Sequence, residues 1–116
     1  MTVEQCYEIM KGDYKDVLQR LSSDDRIKKL LLKLPGDKSF VQLCNAVESG
    51  DFETACNAAN ILRGLCKDLA LTALAYSTSI FVEALRGRKS YDDDLDALYK
   101  KMKRDYALTM ACIQML

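Results

Sequence analysis

From Phe52 to Leu69, apolar residues return at steps of three and four: Phe52, Ala55, Cys56, Ala59, Leu62, Cys66 and Leu69. That spacing fits a 3.6-residue period, so it predicts a helix with one buried stripe, organised within the stretch Asp51 to Leu74. A stripe of this kind has to be covered by other elements of the same chain. Asp51 stands ahead of it as an N-cap, and Glu53 and Thr54 fill the first turn, where a negative charge meets the positive end of the helix. The opposite face carries Glu53, Asn57, Asn60, Arg63, Gly64, Lys67 and Asp68. Gly64 is the odd member, because a mid-helix glycine costs about 1 kcal/mol relative to alanine. It lies one turn beyond Asn60 on the same face. With no side chain at 64, the side chain at 60 is open to a partner.

The rest of the chain supplies helices and nothing else. It has one proline, Pro35, and five glycines, and no segment alternates like a strand. Thr2 with Gln5 forms a capping box for a first short helix that carries Val3, Cys6, Tyr7 and Met10 and stops near Gly12. Asp13 caps a second, with Tyr14, Val17, Leu18 and Leu21 inward. Ser22 or Ser23 caps a third, whose apolar residues are Ile27, Leu30, Leu31 and Leu34, and Pro35-Gly36 ends it. Longer helices follow. One runs from Lys38 to Ser49 and is closed by Gly50; then comes the central helix; then one capped by Thr72 and running to about Arg86. A linker with Gly87 and Ser90 leads to the last helix, where Tyr91-Asp92-Asp93-Asp94 sets three carboxylates at the positive end. Four helices of about 12–24 residues joined by short turns predict an all-α fold, an antiparallel up-down four-helix bundle. Residues 1–116 form one domain on this reading, with short N-terminal helices over 1–35 packed on a bundle over 36–116.

Composition narrows the function. Lys plus Arg is 17 and Asp plus Glu is 17, so the net charge is zero and neither nucleic acid nor an anionic membrane is an expected partner. The basic run Lys100-Lys101-Met102-Lys103-Arg104 is interrupted by Met102 on the apolar stripe and offset by Asp92 to Asp96, as on a solvated helix face. No apolar run approaches about 20 residues, so no membrane span is expected. The N-terminus lacks a basic start and an apolar core, so no secretory signal is expected and the localisation predicted is cytoplasmic. The five cysteines, Cys6, Cys44, Cys56, Cys66 and Cys112, include no Cys-x-x-Cys pair and sit on or near apolar stripes. They read as reduced, buried thiols acting as small hydrophobes. With no histidine in the chain, nothing activates a cysteine nucleophile, and a zinc site would need thiols converging from several helices. The expectation is no enzyme, no metal and no cofactor.

The run Ala59-Asn60-Ile61-Leu62-Arg63-Gly64, followed by Leu69 and Leu74, resembles the signature of histidine-containing phosphotransfer (HPt) domains: Ala-His-any-Leu-Lys-Gly, a small residue, then Leu-Gly and a further leucine. The match holds at Ala59, Leu62, Gly64, Leu69 and Leu74, and conservatively at Arg63. Ala70 stands where the family has a glycine, and Asn60 stands at the phosphoaccepting histidine. The resemblance covers residues 36 to 116 well and the N-terminal helices more loosely. It implies a phosphorelay module of a two-component system that binds the receiver domains of response regulators or hybrid histidine kinases. In the family an exposed imidazole attacks the phosphoryl group on a receiver aspartate. An amide nitrogen is conjugated with its carbonyl and has no comparable lone pair, so the chain as written is not phosphorylatable at position 60 and acts as a competitor, buffer or scaffold. On the same resemblance Arg63 sits beside the receiver's acidic pocket, Glu53, Asn57, Gly64, Lys67 and Asp68 complete the docking face, and the following helix contributes residues that the sequence does not single out. A monomer is expected rather than a dimer. Two other readings stay open: an active phosphotransfer protein seen as a His→Asn variant, and a helical interaction scaffold unrelated to phosphorelay.

Overall fold

Start and stop signals that act within four residues divide the chain into its elements. The computed structural model describes all 116 residues, Met1–Leu116, and contains helices and no strand. Seven α-helices follow one another: α1 (Val3–Met10), α2 (Tyr14–Leu21), α3 (Asp24–Lys33), α4 (Ser39–Glu48), α5 (Phe52–Asp68), α6 (Thr72–Leu85) and α7 (Asp93–Gln114), with a 3-10 turn at Leu34–Gly36. Thr2 and Gln5 make the reciprocal capping box. Asp13, Ser23, Asp51 and Asp92 each accept a backbone N–H three residues on. Each satisfies a donor that a helix start leaves open.

Thr72 is not a cap. Leu71 occupies that position without a side-chain cap bond, and Thr72 is the first helical residue. Its hydroxyl turns back to the Ala70 carbonyl at 3.4 Å. Burying a leucine side chain is worth about 1.5–3 kcal/mol, against about 1 kcal/mol for a cap. Leu71 is 1% exposed, so burial decides this corner.

α5 packs between α4 and α6, α6 packs on α7, α1 and α3 lie against α7, and α2 pairs with α3. α4 also reaches α7, where the Phe40 and Tyr106 rings lie parallel with centroids 3.6 Å apart. Tyr7, Leu43, Leu62, Phe81, Met102 and Ile113 are among the fully buried side chains. The buried side of α5 is wider than its spacing shows: Ala58 joins it, while Cys56 is half-buried with its Sγ 3.8 Å from the Val82 carbonyl oxygen. α2 and α3 bury less than their stripes predict. Only Val17 of α2 is fully buried, and Leu30 of α3 is exposed. A helix lying on the outside of a core is covered from one side only.

The N-terminal segment is tied to the corner between α5 and α6. The Tyr7 hydroxyl donates to the Leu69 carbonyl oxygen at 2.6 Å, the Asp13 N–H to that of Ala70 at 2.8 Å, and the Ala73 N–H to that of Lys11 at 3.3 Å. Gly12 lies at the closest approach: a Cβ there would sit 2.6 Å from the Tyr7 ring and 2.8 Å from the Ala70 carbonyl oxygen. Ala70 turns the corner with φ 53°, in the left-handed region that normally favours glycine.

All five cysteines are free; Cys6, Cys66 and Cys112 are buried, and Cys44 and Cys56 are half-buried. Burial pushes the Cys66 thiol up to about 12 and the Cys6 thiol up to about 11. Both are uncharged at neutral pH and serve the core. No helix is long and apolar enough to cross a membrane.

Candidate functional site

Asp51 starts α5 with both carboxylate oxygens engaged. One accepts the Thr54 N–H at 3.2 Å and the other the Thr54 hydroxyl at 2.6 Å. The two bonds, the hydroxyl's first, hold the carboxyl below its ordinary value. From this cap the helix runs 17 residues with its apolar side sealed against α4 and α6. Glu53, Asn57, Gly64, Lys67 and Asp68 are exposed on the other side, and Asn60 and Arg63 are half-buried where α5 faces α6.

Arg63 makes the central contacts. One end of its guanidinium donates to the Asn60 side-chain oxygen. The other lies 3.9 Å from the Glu83 carboxylate on α6, which also pairs with Arg86 at 3.1 Å. Arginine has donors and no acceptor. The Asn60 oxygen therefore faces Arg63, and the amide NH2 faces away from it. A Cβ added at Gly64 would meet no atom within 4 Å, so the surface beside Asn60 is open.

The seven residues do not make one patch. Glu53 and Asp68 are 15 positions apart, about 22 Å along a helix axis. Glu53 and Asn57 line a cleft of about 540 Å³ with Cys56, Arg86, Arg88 and Lys89 at the turn between α6 and α7. Lys67 lines a groove of about 400 Å³ with Asp13, Asp16, Tyr76 and Ser79. Asp68 turns the other way, into an apolar groove of about 360 Å³ with Leu30, Leu65, Arg20 and Lys33. The centre is Asn60, Arg63 and Gly64, with Asn57 and Lys67 one turn to either side.

Sequence reasoning left out the α6 contribution. Glu83 pairs with Arg63, Ser79 and Tyr76 stand beside Lys67, and the Tyr76 ring is 66% exposed. The spacing of Tyr76, Ser79 and Glu83 puts them on one side of a helix, and that was the available signal. Which α6 side borders Arg63 follows only from how α5 and α6 pack. Chemically the centre offers hydrogen-bond donors and one carboxylate. It holds no nucleophile paired with a base, and no three Cys, Asp or Glu side chains converge to hold a metal ion. No protein-family model, no curated protein and no solved structure matches the chain.

Proposed function

We propose that this chain is an HPt-type module of a two-component phosphorelay. It docks receiver domains of response regulators or hybrid kinases through the α5–α6 face around Asn60 and accepts no phosphoryl group there. On this reading α4 to α7 form an up-down four-helix bundle, α1 to α3 pack on it, and the whole chain is one domain. It works in the cytoplasm as a monomer, as a competitor, buffer or scaffold. No metal or cofactor takes part.

The observation that carries the reading is the surround of position 60. Asn60 is half-exposed in the middle of α5, with a cation three residues on and open space at Gly64. A glycine that makes no close approach to any other element has no packing reason to be there. An open path to the side chain one turn earlier gives it a reason. The charge of Arg63 and Lys67 steers and orients an acidic partner more than it adds affinity.

The test is a titration of purified receiver domains from the source organism against this protein and its Asn60→His variant, with phosphoryl transfer followed on the same samples. Both forms are expected to bind the same receiver, and only the histidine form is expected to become phosphorylated. Arg63→Glu with Lys67→Glu is expected to abolish that binding. If no receiver binds either form, the chain is a helical interaction scaffold outside phosphorelay.

A further inference from the structure

We infer that a receiver docked at Asn60 also closes on Tyr76 and Lys11, so that the turn between α1 and α2 belongs to the docking surface; this deepens the docking reading above and rests on it. The first support is Tyr76. The chain has six tyrosines. The Tyr7 and Tyr14 rings pack together, and their hydroxyls bond the Leu69 carbonyl and the Asp24 carboxylate. The Tyr91 hydroxyl bonds Asp96, Tyr99 stacks on Phe81, and Tyr106 stacks on Phe40. Tyr76 has neither a ring partner nor a hydrogen bond, and it is the most exposed of the large apolar side chains. A ring with an apolar body and a polar tip is a favoured anchor of protein interfaces.

The second support is position. Tyr76 lines the groove that holds Lys67, and also a second groove of about 430 Å³ with Lys11, Ile80, Leu98 and Lys101. Lys67 is seven residues from Asn60, about 10 Å along α5. Packed helix axes lie about 8–10 Å apart. A stable interface covers about 800 Å² of each partner, a patch of about 16 Å radius. A receiver centred on Asn60 therefore covers Tyr76, and Lys11 falls at its rim. The turn is held in place, because the Lys11 carbonyl oxygen accepts the Ala73 N–H and the Asp13 N–H bonds Ala70. Charge is the third support. Lys11 and Lys67 pair with no carboxylate in the chain. Of the other charged groups lining the two grooves, Lys101 pairs with Asp105, Asp16 pairs with Arg20, and only Asp13 remains. Two free cations against one carboxylate leave a positive balance, which suits the acidic surround of a receiver aspartate.

The experiment measures association and dissociation rates of purified receiver domains from the source organism on wild type, Tyr76→Ala and Lys11→Glu, with Arg63→Glu as the control for docking at Asn60. Each variant is first checked for unchanged helical melting, which the exposure of both side chains predicts. Tyr76→Ala is expected to weaken binding at least about tenfold, through faster dissociation. Lys11→Glu is expected to slow association at least about threefold at low salt, with the difference shrinking as salt is raised and dissociation little changed. A Tyr76→Ala protein that binds within about twofold of wild type overturns the inference. So does a Lys11→Glu protein whose association rate is unchanged at low salt. In those cases Arg63→Glu still weakens the complex, and docking at Asn60 stands. If wild type binds no receiver, the docking reading fails and the inference with it.

Discussion

The two sides of α5 share one backbone and answer to different constraints. On the inner side Ala55, Ala59, Leu62 and Cys66 are at most 1% exposed. On the outer side Gly64 has nothing within 4 Å of where a side chain would begin. The inner side is specified by volume, and almost any change there costs stability. The outer side is nearly free of packing constraint. Its composition must be explained by helix propensity, solubility or a partner, and helix propensity argues against a glycine.

The sharpest way to break this contrast is Leu62→Ala. Truncating a fully buried leucine leaves a cavity and is expected to cost about 2–5 kcal/mol. Thermal unfolding followed by circular dichroism should show Tm falling by roughly 10 °C or more. A fall of only a degree or two would mean that the inner side relaxes freely and that volume does not specify it.

The same substitution at two glycines gives a smaller and more pointed comparison. Gly12→Ala pushes a methyl group into the Tyr7 ring and the Ala70 carbonyl, and is expected to destabilise by about 1–3 kcal/mol. Gly64→Ala adds a methyl group in open space on a helix and is expected to stabilise by up to about 1 kcal/mol. On the docking reading the Gly64 variant also binds receivers more weakly. Opposite signs in denaturant unfolding support the contrast, and a destabilised Gly64→Ala protein would show that the outer side is packed after all.

The smallest effect lies in acid. Asp51, hydrogen-bonded to Thr54, and Asp92, hydrogen-bonded to the Leu95 N–H and paired with Arg88, are both held below the ordinary value of 3.8. Their folded-state values lie below their unfolded ones. The stability they contribute is therefore complete above about pH 5 and is lost as pH falls through the depressed values. Asn also caps helices but carries no charge. Asp51→Asn should melt slightly below wild type at pH 7, and the gap should narrow as pH falls below about 4. A gap that stays constant across that range would mean that the ionised form adds nothing at the cap.

Where the helices run was legible because caps and periodicity are local. Asp13, Asp51 and Asp92 each bond a backbone N–H three residues away, and no distant residue is needed to find them. Thr72 misled because the burial that overrides its capping chemistry comes from other helices. The same limit hid the division of the polar side of α5. Asp68 and Lys67 are neighbours in sequence and face different grooves, and Arg63 meets a carboxylate 20 residues away that spacing along α5 cannot reveal.

The order of residues alone dictated seven helices, most of their caps and an outward row of polar groups with a gap at Gly64, because these follow from hydrogen bonds and side-chain periods within one or two turns. Only packing decided that Tyr7 reaches Leu69 across 62 residues, that Gly12 and Ala70 close the corner between α5 and α6, and that Glu83 arrives beside Arg63. Those contacts join residues far apart in the chain, and they exist only once the apolar stripes have been buried against one another.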